Sequence, residues 1–306
     1  MNAILVKIFP IFLMLIIGFL LQKSKEINTT VINGLKFLIL RVSLPCILFF
    51  AFSKADLQLS YTLLFLIVFL FCVLLYGIGI FLRKYLKRTY TGLFFTGFEF
   101  GMIGVALFGA LYGIENISVI ALLALGHEFF IWFVYFPLLE SKNNGQISIS
   151  KNFIRFLKSP AIVAIFLGIT TNLTNTYDWF SHQAVIIGVF SAMETLSKIT
   201  VPLILVVVGY SIQFTHVNWA ETFKFIGLRI LVVAICGFFT YQLIFFTVGE
   251  FNPLFKVGFI TFVLLPPPFI LPLFIKNNEN ELKFFSNAIL VYTLISLVLF
   301  TVLSVF

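Results

Sequence analysis

Three features of the 306-residue sequence predict an all-α integral membrane protein with about ten transmembrane helices. The chain is 61% hydrophobic and 10% charged, whereas soluble domains carry about 25% charged residues. Its apolar residues stand in continuous blocks of spanning length, and its charges collect between them. Only helices and closed barrels satisfy their backbone in hydrocarbon. The strict alternation of a barrel strand is missing here.

Ten apolar blocks can be read in order. Blocks 1 to 5 cover about Ile4–Leu21, Val31–Phe52, Leu59–Leu82, Thr91–Tyr112 and Ile117–Leu139. A polar segment, SKNNGQISISKN, separates them from blocks 6 to 10. Those cover about Pro160–Leu173, Ala184–Ile212, Phe223–Val248, Phe255–Ile275 and Phe284–Val305. The first block has no basic leader and no small-residue cleavage site, so it is expected to stay as the first helix.

The formal charge of +8 does not point to nucleic acid, because the basic residues are orientation signals. Lys23, Lys25, Arg83, Lys84, Lys87, Arg88, Lys142, Lys151, Arg155, Lys158, Lys224, Lys276 and Lys283 follow odd-numbered blocks; Lys7, Lys54 and Lys256 lie on the other side. The positive-inside rule puts the first set in the cytoplasm and both termini outside, in the cell membrane. Cys46, Cys72 and Cys236 sit inside apolar blocks without metal-ligand spacing, so free thiols are expected.

The sequence also repeats itself. Arg41–Leu48 reads RVSLPCIL and Lys198–Leu205 reads KITVPLIL. Pro10 and Gly18 recur at the same spacing as Pro160 and Gly168. Two five-helix units are therefore expected, 1–140 and 159–306, joined by a cytoplasmic linker at 141–158. Five is odd, so the second copy is inverted, a recurring plan of alternating-access transporters.

The fourth and ninth blocks hold the most informative chemistry. The fourth carries Gly97, Gly101, Gly104, Gly109 and Gly113 with one carboxylate, Glu99. The ninth carries Pro266, Pro267, Pro268 and Pro272. Three successive prolines cannot sit in a regular helix. Unwound backbone at membrane depth needs protein or a water-filled cavity around it, and half-helix N-termini suit anions. The residues expected to face a solute are Thr96, Glu99, Gly101, Gly104, Pro266, Pro267 and Pro268. Pro45, Pro202 and Pro272 are expected hinges or helix breaks. Glu99 and the adjacent His127 and Glu128 are candidates for ion or proton coupling, against a bland alternative of structural polar contacts. Arg41, Lys198 and Arg229 are expected to snorkel to the interface, with attraction of anions to each mouth as the other reading of the first two. No phosphate loop, zinc spacing or nucleophile elbow is present, so neither an enzyme nor a cofactor or metal site is expected.

IFPIFLMLIIGFLL followed by INGLKFLILRVSLPCILFFAFS resembles the start of auxin efflux carrier family proteins. FGMIGVALFGALYG is similar to that family's fourth helix, SPAIVAIFLGI to the start of its second half, ITVPLILVVVGYSI to its seventh helix and LPPPFILPLF to its ninth. The chain lacks the long cytoplasmic loop of the plant exporters, which favours comparison with the bacterial malate and malonate permeases. It departs from the family in carrying Glu99 where asparagine is usual nearby, and Ala106 where proline is. The resemblance implies a fold similar to bile acid symporters and some sodium–proton antiporters. Helices 1, 2, 6 and 7 would form a scaffold and helices 3–5 and 8–10 a moving domain, with broken helices 4 and 9 crossed at the site. It implies elevator-type transport of small organic anions such as carboxylates, with proton or sodium coupling and a homodimer as further implications. Two other readings stand beside it: a sodium-coupled symporter or cation/proton antiporter of the same fold, and a non-transporting sensor or scaffold.

Overall fold

The computed structural model describes residues 2–55, 60–144, 149–180, 182–212, 218–249, 253–276 and 278–303. The described residues hold helices and no strand. In chain order, α1 is Asn2–Leu21, α2 Thr29–Ser53 and α3 Ser60–Leu86. α4 is the short Thr91–Phe95, α5 is Val105–Tyr112 and α6 is Ile114–Lys142. α7 is Ile149–Leu157, α8 Pro160–Leu173, α9 Thr176–Phe180 and α10 Ala184–Tyr210. α11 is Trp219–Thr247, α12 Phe255–Leu264 and α13 Glu279–Leu303.

Seven stretches among the described residues are long and apolar enough to cross a membrane: α2, α3, α4 taken with α5, α6, α10, α11 and α13. Three shorter apolar helices lie in α1, α8 and α12. The chain is therefore an all-α, multi-pass membrane protein. Its outer surface agrees, because Leu70, Phe81, Phe239 and Phe246 all face outward. Water would penalise such a surface and lipid does not.

The helices follow the blocks read from the sequence, although the third and tenth blocks' expected ends at Leu59 and Val305 lie outside the described residues. The linker differs. Its residues 145–148 also lie outside, but Ile149–Leu157 folds as an amphipathic helix. Phe156 is buried against Trp132 and Phe133, while Phe153, Ile154 and Leu157 face out. Polar composition hid the helical spacing of these apolar residues.

The expected proline breaks in α2 and α10 do not form. Pro45 cannot donate to the Arg41 carbonyl, and a wide π turn at Ile39–Ser43 accommodates it without ending the helix. Pro202 lies inside an unbroken α10, which buried Val201, Ile204 and Leu205 hold against its neighbours. Pro272 does start a new element, the 3₁₀ turn Pro272–Phe274.

α1 packs on α10, and α8 packs on the second half of α2. Both contacts are backbone-close. A Cβ on Gly18 would stand 2.0 Å from the Val206 carbonyl oxygen, and one on Gly168 would stand 2.7 Å from that of Phe49. A side-chain amide then ends each contact. Gln22 donates to the carbonyls of Tyr210 (2.9 Å) and Ile212 (2.8 Å). Asn172 donates to those of Ser53 (3.0 Å) and Ala55 (2.7 Å). These amides satisfy carbonyls that the helix ends leave open.

Helices α3, α4, α6, α11, α12 and α13 form a second packed set. α3 lies against α4 and α6, α11 crosses α3, and α12 lies against α6. Arg88 ties its loop end together. It binds Glu221 at the start of α11 (2.6 Å) and Glu281 at the start of α13 (3.2 Å), and it lies 4.0 Å over the Phe284 ring.

Candidate functional site

Two chain interruptions meet in the second set. The fourth block, read over Thr91–Tyr112 and expected from the family resemblance to be broken, stops after Phe95. Thr96 is extended, Gly97 adopts a φ of 73°, and Glu99 precedes a π turn, Phe100–Gly104, that leads into α5. Glycine is needed at 97 on two grounds. The left-handed φ disfavours side chains, and a Cβ would lie 2.9 Å from Pro268 Cγ. The ninth block stops after Leu264, where Leu265 is extended and Pro266, Pro267 and Pro268 cannot continue a helix.

The two unwound segments bond directly to each other. The Glu99 N–H donates to the Pro266 carbonyl (2.8 Å), and the Phe269 N–H donates to Glu99 Oε2 (2.8 Å). Gly104 provides the adjacent close contact, since a Cβ there would meet Leu265 Cδ1 at 3.0 Å.

Surrounding helices satisfy several other groups at the interruptions. The Thr96 hydroxyl donates to the Cys72 carbonyl (2.7 Å), and the Ser296 hydroxyl donates to that of Leu264 (2.6 Å). The Phe98 N–H donates to His127 Nε2 (2.9 Å). A nitrogen that accepts carries no proton, so neutral His127 holds its proton on Nδ1. That atom faces Glu128 Oε1 at 3.6 Å. Removing the acceptor by His127→Ala is expected to cost about 1–3 kcal/mol, the penalty for an unpartnered buried donor. Thermal unfolding in detergent measures it, and His127→Gln should recover part of the loss.

Arg229 overturns the snorkelling expectation. α11 starts at Trp219, where the Asn218 side chain caps it by accepting the Glu221 N–H. Arg229 therefore lies roughly 15 Å along the helix, further from its start than the sequence block had placed it. It is wholly buried. Its guanidinium donates to the Gly97 carbonyl (2.9 Å) and, more weakly, to that of Leu265 (3.4 Å), one oxygen from each interruption. The Tyr292 ring lies 4.4 Å from its charge centre. Block boundaries placed it too near a membrane surface; a capping residue just before Trp219 was the signal for an earlier start.

A cavity of about 870 Å³ opens beside the crossing. Leu44, Phe100, Gly101 and Trp132 form apolar wall, and Arg41, Lys158 and Lys276 add positive charge. Glu128 and Glu140 also line it, with Glu140 bound to Arg155. A second cavity of about 560 Å³ lies further along α2, at Ala51 and Lys54, and reaches Gly109, Glu115 and Lys198. Arg41 and Lys198 thus each line a cavity. Of the residues expected to face a solute, Gly101 lines the larger one. Thr96, Glu99, Gly104 and the three prolines instead build the crossing, with the Thr96 hydroxyl already engaged.

Comparison with models of known protein families gives no match, and comparison with curated proteins gives none either.

Proposed function

We propose that this protein is a secondary transporter of small organic anions, related to the carboxylate permeases of the auxin efflux carrier family. The observation that carries the reading is the pair of unwound segments, hydrogen-bonded to each other beside a cavity with basic walls. In a membrane, unwound backbone survives only against protein or a water-filled space. Discontinuous helices that meet in this way are a recurrent device for binding and releasing solutes.

Ten crossings in two inverted halves fit the same reading. Val206 and Phe49, whose carbonyls press on Gly18 and Gly168, each follow the motif proline by four residues. Tyr210 and Ser53, bound by Gln22 and Asn172, each follow it by eight. The equivalence extends from sequence into contacts. α1, α2, α8 and α10 would serve as scaffold and the second set would carry the crossing, with the cavities at Arg41 and Lys198 as the two mouths. The basic-rich loops would face the cytoplasm.

Purified protein in liposomes tests this. Labelled malate or malonate should accumulate under an imposed pH gradient and stop accumulating when the gradient is collapsed. No flux across a broad panel of mono- and dicarboxylates sinks the proposal. Glu99 and Glu128 favour one rival, a cation-coupled carrier on the same frame. That reading requires sodium-dependent flux that Glu99→Gln abolishes; flux indifferent to sodium at every pH removes it.

A further inference from the structure

α7 stands between two apolar segments. α6, long and apolar enough to cross a membrane, ends at Lys142, and the apolar α8 begins at Pro160. Residues on α7 advance about 100° each around its axis, so Phe156, Phe153, Leu157 and Ile154 follow one another over an arc of roughly 160°. Lys158 and Arg155 come next. Lys158 keeps the helical register, because its N–H donates to the Ile154 carbonyl (3.0 Å). Phe156, at one edge of the arc, is buried, its ring 5.2 Å from that of Phe133 and 6.3 Å from that of Trp132. Phe153, Leu157 and Ile154 are exposed. Their face continues onto α8, where Phe166 lies 6.4 Å from Phe156 and is itself exposed, as are Val163 and Leu167.

The other side of α7 reaches the larger cavity. Arg155 and Lys158 are both exposed and both line it. Its wall carries four cations, Arg41, Arg155, Lys158 and Lys276, against two carboxylates, Glu128 and Glu140. Bulky apolar residues on one side and basic residues on the other are the pattern of a helix lying in the bilayer interface.

We propose that α7 is a lipid-docking helix that holds an anionic phospholipid at the rim of this cavity. Phe153, Ile154 and Leu157 sit among acyl chains, and Arg155 and Lys158 take the headgroup. Charge selects the occupant, since a zwitterionic headgroup gains less from two neighbouring cations. Continuity with the exposed face of α8 selects lipid over a water-soluble protein. Phe156 rests on Trp132, another residue of the cavity wall, so lipid that seats α7 also steadies that wall. The proposal goes beyond the transporter reading and stands without it.

The test uses the full chain and no flux. Ile154→Trp puts a fluorophore on the exposed face, and the parent chain, with Trp132, Trp179 and Trp219, gives the background. Both are reconstituted in vesicles of phosphatidylcholine and phosphatidylglycerol, with one lipid or the other brominated. Both brominated lipids should quench the added fluorescence, with about a fivefold preference for phosphatidylglycerol. That is the scale of one basic residue at an anionic surface, because Glu140 is already bound to Arg155. Adding Arg155→Gln and Lys158→Gln together should remove the preference and keep the quenching. Water-exposed emission that neither lipid quenches overturns the proposal and leaves the face to a protein partner. Equal quenching by the two lipids overturns it as well, and so does a preference that survives both substitutions. Should Ile154→Trp fail to fold, Leu157→Trp places the fluorophore on the same face.

Discussion

Gly18→Val is expected to stop α1 from seating on α10, giving a large loss of folded protein. The obstacle is the Val206 carbonyl oxygen at 2.0 Å from where a Cβ would stand. A backbone atom cannot rotate away as a side chain can, so the helices must separate and lose their shared contacts. The cost should reach about 3 kcal/mol, the upper end for overpacking a tight contact. Gly168→Val should act in the same direction at the contact between α8 and α2, where the corresponding distance is 2.7 Å. Gly188→Val is the control, since nothing lies within 4 Å of its added carbon, and a change of about 0.5 kcal/mol or less is expected. Thermal unfolding of the three variants in one detergent ranks them. Equal melting of Gly18→Val and Gly188→Val contradicts the packing account.

Arg88→Met should destabilise the second helical set by about 3 kcal/mol. It removes the counter-ion of Glu281, a carboxylate only 5% exposed. Stranding a buried charge ordinarily costs about 3–5 kcal/mol. The low end applies because Arg88 and Glu221 remain partly in water, where such pairs contribute little. The Thr89 N–H, which donates to Glu281 at 2.9 Å, offsets part of the loss. Adding Glu281→Gln to Arg88→Met should recover most of the stability, since no buried carboxylate is then left without its counter-ion and Glu221 stays partly in water. If the double variant melts below Arg88→Met, the network is held by shape and not by charge.

Much of this architecture was legible in the sequence because membrane helices announce themselves by length and continuity. The interruption after Leu264 was legible for a local reason: three adjacent prolines leave the backbone no helical option. The interruption at Thr96–Glu99 was harder to place. Glycine allows a break without demanding one, and the break forms at Gly97, where Pro268 from another part of the chain leaves no room for a side chain. The same limit hid Arg229 and the amide caps of Gln22 and Asn172. Their partners are more than a hundred residues away in sequence for Gln22, Asn172 and the Gly97 contact of Arg229. Pro202 failed as a break for the opposite reason, since tertiary packing overrode a strong local signal.

Each hydrogen bond described where α4, α5 and α12 come together has a main-chain group at one end or both, and that divides the molecule into a fixed hub and an adjustable rim. Peptide N–H and C=O groups are the same whatever residue carries them, so point substitutions offer few ways to retune the hub and several ways to wreck it. Leu40, Trp132 and Phe274, by contrast, present interchangeable side chains to the hollow beside it. Anyone redesigning solute choice would gain more by randomising those three positions than by altering any proline.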